Sequence, residues 1–406
     1  TAFGYKSLED NTTADFNTAV GYIALNSATT GSNNTAFGSQ ALTTLTTGSD
    51  NTAVGYNALT NATTCTGNVA LGNKALESCT TGINNVAIGE HALDAHTTAS
   101  YNTAVGYDAL TTVVTGADNT AMGAFALSDN TGGFNAAFGY YALKANTSGQ
   151  YNVAIGYIAL DANTTGDENT AVGAHSMTAS TSGEYNAAFG AYSLDENTTG
   201  NLNTAIGYGG LHSNTTGHYN TGIGAYVLGE CTTGENNTAV GYQALYTQTT
   251  ASNNTAVGFK ALYTNSSGAS NVAVGMNALK LNTTAICNTA VGNDALDANT
   301  TGQYNTAVGK DSLSSNTTGD YNTAVGYQAL FDATTPSYNT ALGRYALSNV
   351  TTGASNTGLG HNAGGAGTMT GGDNVLVGVN AGSAITTGGF SVIIGNGAGS
   401  DINGVT

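Results

Sequence analysis

A four-residue core, Thr/Val-Ala-apolar-Gly, returns in this chain with its glycine at every seventeenth position, and that period constrains the fold more than any other feature. The glycine stands at Gly4 and repeats in steps of 17 to Gly123. After one deletion the series resumes at Gly139 and runs in the same steps to Gly360; one extra residue precedes Gly378, and Gly395 follows. These 24 copies fill the 406 residues and leave no room for a separate globular domain. Numbered from the glycine as zero, the consensus is Asn(−4) Thr(−3) Ala(−2) Val(−1) Gly(0) Tyr(+1) x Ala(+3) Leu(+4) x x Asn(+7) Thr(+8) Thr(+9) Gly(+10) x Tyr/Asn(+12).

Two-helix repeats need more than about 30 residues per unit, and Asn-Thr-Thr-Gly at this interval would break any helix longer than about two turns. The segment Asn-Thr-Ala-Val-Gly-Tyr is short, β-branched and bounded by turn residues, so it predicts a strand. Asn-Thr-Thr-Gly predicts a turn. One coil per repeat gives an all-β fold, a parallel β-solenoid of about 24 coils with 17 residues per coil, roughly 115 Å long. Asn occupies −4 in every copy that has the position except the last, where Ser391 stands, as expected where like side chains stack at about 4.8 Å. Residues 1–355 form the regular array. Residues 356–406 continue it with a variant unit, Gly-x-Asn-Ala-Gly, at Gly360 to Gly364 and Gly378 to Gly382.

Each position carries its own demand. The zero glycine is invariant among the copies, which predicts a left-handed backbone or a close backbone approach. The +10 glycine gives way to Ala14, Cys65, Ala99, Ala251, Ala285 and Pro336, so that turn cannot require a left-handed residue. Position −2 is Ala in 20 copies and +4 is Leu in 20, but at the C-terminal end −2 becomes Leu376 and Ile393 while +4 becomes Gly382 and Gly399. Such an exchange implies that both positions fill one core volume. Position −1 is also apolar throughout, although neighbouring strand residues face opposite ways. Burial of both rows then requires that one fill the coil and the other pack on a second chain, which predicts a homo-oligomer. Aromatic residues form one column at +1 or +2 (Tyr107, Phe125, Tyr157, Tyr192) and another at +12 (Tyr151, Tyr304, Tyr321), read as stacks between coils.

Composition narrows the partners. Leu, Ile, Val and Phe make up about 18% of the chain and the net charge is −18, a combination that by itself marks disorder; the strict period overrules it. Seven scattered basic residues cannot form a phosphate-binding stripe, so nucleic acid is not an expected partner. No run of about 18 apolar residues exists, and no membrane insertion is expected. The chain opens on Thr1, at mid-repeat, and Thr406 falls inside a repeat, from which a window on a longer fibre is expected.

The chemistry-bearing residues do not converge. The histidines (His91, His96, His175, His212, His218, His361) lie at unrelated coil positions without zinc spacing and read as scattered surface residues. Cys65 and Cys79 fall on neighbouring coils near one turn, within range of a bridge, whereas Cys231 and Cys287 are some 14 Å apart along the axis and read as free thiols. The acidic residues gather at turn positions, as at Asp161, Asp195, Asp297 and Asp320, and read as a solvated rim. No GxxxxGK[ST] loop occurs. Neither catalysis nor a cofactor or metal is expected. Asn-x-Ser/Thr triplets stand at Asn11, Asn33, Asn61, Asn146, Asn163, Asn197, Asn214, Asn236, Asn253, Asn265, Asn282, Asn299, Asn316 and Asn349, candidate glycosylation sites if they occupy an exposed corner of each coil.

The cores Asn-Val-Ala-Ile-Gly (Asn85 to Gly89, Asn152 to Gly156) and Asn-Val-Ala-Val-Gly (Asn271 to Gly275) resemble the head repeats of trimeric autotransporter adhesins. The longer unit Asn322 to Leu330 is similar to repeat arrays of phage tail-fibre-domain proteins. The resemblance implies a left-handed roll wound as a trimer, although those heads use a shorter repeat. It also implies an extracellular place, on a cell surface or virion. The expected function is therefore a structural fibre shaft of adhesin type, with a receptor-binding phage tail fibre as the alternative and an ice-binding solenoid, from its Thr rows, as a third. The expected partners are further copies of the chain, and surface glycans or a receptor.

Overall fold

The computed structural model describes residues 1–400, which form two units, Thr1–Leu202 and the chain from Asn203 onward. The last six residues of the variant segment, and with them the expectation about Thr406, lie outside the described residues. Each unit is a parallel β-solenoid, and no helix occurs among the described residues. The strands cover −3 to −1 of every copy after the first, whose strand is Ala2–Phe3, as at Thr18–Val20, Val153–Ile155 and Thr306–Val308. Each pairs in register with the strand one repeat away: Val153 with Thr170, Ala154 with Ala171, Ile155 with Val172.

Alternation along these three residues decides what is inside. Ala154 at −2 is fully enclosed, while Val153 and Ile155 point outward, and the same pattern holds from Thr18–Val20 to Val375–Val377. The chain therefore buries −2 and leaves −1 outside, with no kink in the strand. The expectation that both rows are buried is not met within one chain.

After the strand the backbone turns sharply. The zero glycines take φ from +124° to +147°, and a Cβ on Gly156 would come within 2.4 Å of the Gly173 carbonyl oxygen. Both reasons anticipated for glycine operate at once. Less expected is that +2, +4 and +12 also adopt left-handed φ without glycine, as at Ile158 (55°), Leu160 (53°) and Tyr151 (57°). A left-handed L-residue costs about 1–2 kcal/mol. Complete burial of a leucine contributes about 1.5–3 kcal/mol, enough to offset that cost, and Leu160 is fully buried.

The variant coils take the other solution. Gly364, Gly382 and Gly399 stand at +4 with φ of 61–70°, where glycine relieves the strain. The vacated volume is filled from −2: a Cβ on Gly382 would lie 2.6 Å from Leu376 Cδ2, and one on Gly399 2.8 Å from Ile393 Cδ1. The two positions share one space, as their exchange in the sequence implies.

Candidate functional site

The coil interior has an apolar half and a polar half. Ala at −2 and +3 and Leu at +4 make the first. Asparagine makes the second: Asn152 at −4 spans the coil, its Nδ2 donating to the Gly166 carbonyl at 2.8 Å, while its Oδ1 accepts from the backbone N–H of Asn169 in the next coil at 3.0 Å. The ladder repeats through Asn271, Asn288 and Asn305 in the second unit. A second column stands at +7. Asn163 Nδ2 donates to Gly166 O at 3.0 Å and to Asn146 Oδ1 at 2.7 Å. Asn299 does the same with Gly302 O and Asn282 Oδ1.

This geometry corrects the picture of an exposed corner bearing one sequon per coil. Asn146, Asn163, Asn197, Asn214, Asn265, Asn282, Asn299 and Asn316 all lie at +7 with no exposed surface. A glycan on any of them is incompatible with the folded coil, because the amide that would carry it sits inside. Asn11, Asn33, Asn61, Asn236 and Asn253 are exposed and Asn349 is half-buried. The signal that +7 is internal was present in the sequence. The asparagine there alternates with Ala28, Leu45, Ala62, Val113 and Val350, and a column that accepts aliphatic residues freely does not face water.

His96 also stands at +7 and corrects the reading of the histidines as surface residues. It is fully buried with Nε2 on the Ala99 carbonyl, and desolvation holds its pKa below the ordinary value. Because the folded state resists protonation and the unfolded state does not, stability is full above the unfolded value near 6.5 and falls as the pH drops through it. The half-buried carboxyls Asp161 and Asp297 are displaced the other way by desolvation, Asp297 to about 6, so they oppose that loss. Comparing urea midpoints at pH 7 and pH 5, we expect His96→Leu to lose less stability on acidification than the parent chain. Equal losses would show that His96 carries no part of the acid response.

Outside, the strand face carries no charged residue at −3, −2 or −1 in any copy. Its −1 side chains are substantially exposed: Phe37 by 57%, Ile155 by 41%, Phe189 by 43%, Leu342 by 47%. Beside them runs the aromatic column at +1 and +2. Tyr140 and Tyr157 stack at 5.7 Å, Tyr157 meets His175 edge-on, and His175 lies flat on Tyr192 at 5.1 Å. At +12, Tyr304, Tyr321 and Tyr338 stack at 5.0 and 5.2 Å with planes within 5°. Stacked rings cover one another's faces and present their edges to solvent, whereas a sugar stacks on an open face. Several of the few cations rest on these rings as well: Lys144 over Tyr141 and Arg344 over Tyr345, both at 4.7 Å.

Among the described residues no group of His, Cys, Asp and Glu is arranged to hold a metal ion. No helix among the described residues is long and apolar enough to cross a membrane. The residues brought together are those of the repeat itself, so the extended strand face is the feature most open to a partner. Comparison with models of protein families and with curated protein sequences returns no match.

Proposed function

We propose that this chain is the shaft of an extracellular structural fibre, built from identical copies that meet along the outward strand face. The observation that supports this reading is the continuous −1 row of aliphatic and aromatic side chains on a face free of charge, in a chain with a net charge of −18. In the first unit the exposed members of that row include Phe37, Leu71, Met122, Phe138, Ile155 and Phe189. Contiguous apolar patches larger than a few hundred Å² mark interaction sites on soluble proteins.

The periodicity selects the partner. A row that returns with every coil is matched along its length by a surface of the same spacing, and a second copy of the chain has that spacing. Three copies is the stoichiometry in the adhesin heads that the sequence resembles. In this reading the protein holds something at a distance and carries out no chemistry.

The mass in solution tests the reading. We expect light scattering to give a multiple of the 40.4 kDa chain mass, a trimer in the favoured arrangement. Ile155→Glu with Phe189→Glu should dissociate it, since each buries a charge at the contact, while Thr165→Glu on the exposed turn should leave the mass unchanged. A monomeric parent chain at micromolar concentration would overturn the proposal.

A further inference from the structure

Cys65 and Cys79 lie on adjacent coils with their sulfurs 2.9 Å apart, and neither side chain reaches solvent. Non-bonded carbon atoms settle at about 3.5–4.0 Å and sulfur is the larger atom, whereas a disulfide needs about 2.05 Å. The pair is thus already closer than two thiols in ordinary contact. Cys65 occupies +10 of its coil and Cys79 occupies +7 of the next.

Those two positions have a defined task elsewhere. Where adjacent coils both carry asparagine at +7, the side chain bonds to the carbonyl at +10 in its own coil and to the asparagine at +7 in the neighbouring coil, as Asn163 does with Gly166 and Asn146. Side chains at +7 are therefore links between coils inside the turn. From Ala28 to Val113 the column has no asparagine and reads Ala28, Leu45, Ala62, Cys79, His96, Val113. The cysteine pair sits inside this stretch, where the asparagine link between coils is missing and His96 bonds only to its own +10 carbonyl, that of Ala99.

We propose that Cys65 and Cys79 form a disulfide that joins adjacent coils covalently where the asparagine ladder at +7 is interrupted. The oxidant is a disulfide, small-molecule or protein. One cysteine thiolate attacks it, forming a mixed disulfide and releasing one thiol. The second cysteine thiolate then attacks its neighbour's sulfur and expels the other thiol. The pair gives up two electrons and two protons, and the oxidant is reduced to two thiols. Because both sulfurs are enclosed in the finished coil, the exchange happens before the coils close, and the bridge records the redox conditions under which the chain folded. Cys231 is buried, with its thiol pKa pushed up to about 11 by desolvation, and Cys287 is exposed; neither lies against another cysteine, and both stay outside the bridge. This inference does not depend on the fibre reading.

The test begins with the parent chain, refolded from guanidinium in a buffer with excess glutathione disulfide, then denatured, alkylated with iodoacetamide and digested. We expect a peptide pair joined through Cys65 and Cys79 that reduction separates, with neither residue alkylated. Full alkylation of both would overturn the proposal, as would cross-links of either to Cys231 or Cys287. A second measurement reads the mechanical role. The oxidised chain should melt roughly 4 °C or more above the same chain refolded in reductant, and Cys65→Ser with Cys79→Ser should show no such difference. Equal melting of the oxidised and reduced parent would overturn the stabilising link even if the bridge forms.

Discussion

Gly156→Ala is expected to destabilise the chain by about 4 kcal/mol, near the upper end of what a single methyl group does. Two costs add at this position. The backbone holds φ at +142°, which an L-residue rarely adopts, and the new Cβ would overlap the Gly173 carbonyl, at 2.4 Å from its oxygen and 2.6 Å from its carbon. Backbone, not a flexible side-chain tip, would have to give way, and the displaced strand is hydrogen-bonded into the next coil in turn. Thr165→Ala, nine residues on at an exposed turn position, should stay within about 0.5 kcal/mol of the parent. Denaturant midpoints of the three proteins decide the matter: a Gly156→Ala effect below about 1 kcal/mol would mean that coils can spread to admit a side chain here.

Asn152→Ala should cost about 3 kcal/mol, although it leaves the apolar half of the coil untouched. The substitution strands one buried group, the Asn169 N–H that donated to Asn152 Oδ1, and takes from the Gly166 carbonyl the shorter of its two donors, leaving it Asn163 Nδ2 alone. A buried group left without a partner costs about 1–3 kcal/mol. Asn163→Ala makes the informative contrast. It deletes the same side chain from +7, but coils with Ala28, Ala62 and Ala333 at that position close without it, so about 1 kcal/mol is expected. If equilibrium unfolding gave the two variants equal losses, the −4 ladder would have no special role.

The period and the short strand were legible in the sequence because a solenoid writes each contact once per coil. The exchange of bulk between −2 and +4 was legible too, since Leu376 and Gly382 vary together. What escaped was the left-handed backbone at Leu160 and its equivalents. Leucine carries no mark of that conformation, and only its burial, a property of the closed coil, makes the strain tolerable. The place of the Asn-Thr-Thr turn was misread for a related reason. Asparagine in a turn usually faces water, whereas here Asn163 points inward, bonding locally to the Gly166 carbonyl and across coils to Asn146 Oδ1. The outward strand face was expected as an apolar row, but sequence alone could not separate a row buried by its own chain from one left open.

In the regular coils the hydrogen bonds that join one coil to the next connect residues 16 to 18 apart, as Thr170 N–H to Asn186 O and Thr181 N–H to Thr198 O. In a stack of this kind such bonds lie along the direction in which the coils succeed one another. A load applied along that direction therefore pulls them open one coil at a time instead of shearing many together. A coil that yields releases 17 residues, about 55–60 Å of extended chain in place of the roughly 4.8 Å it occupied. A chain stretched between two anchors would lengthen in equal steps, dissipating work at each step and keeping the coils that have not yet opened intact.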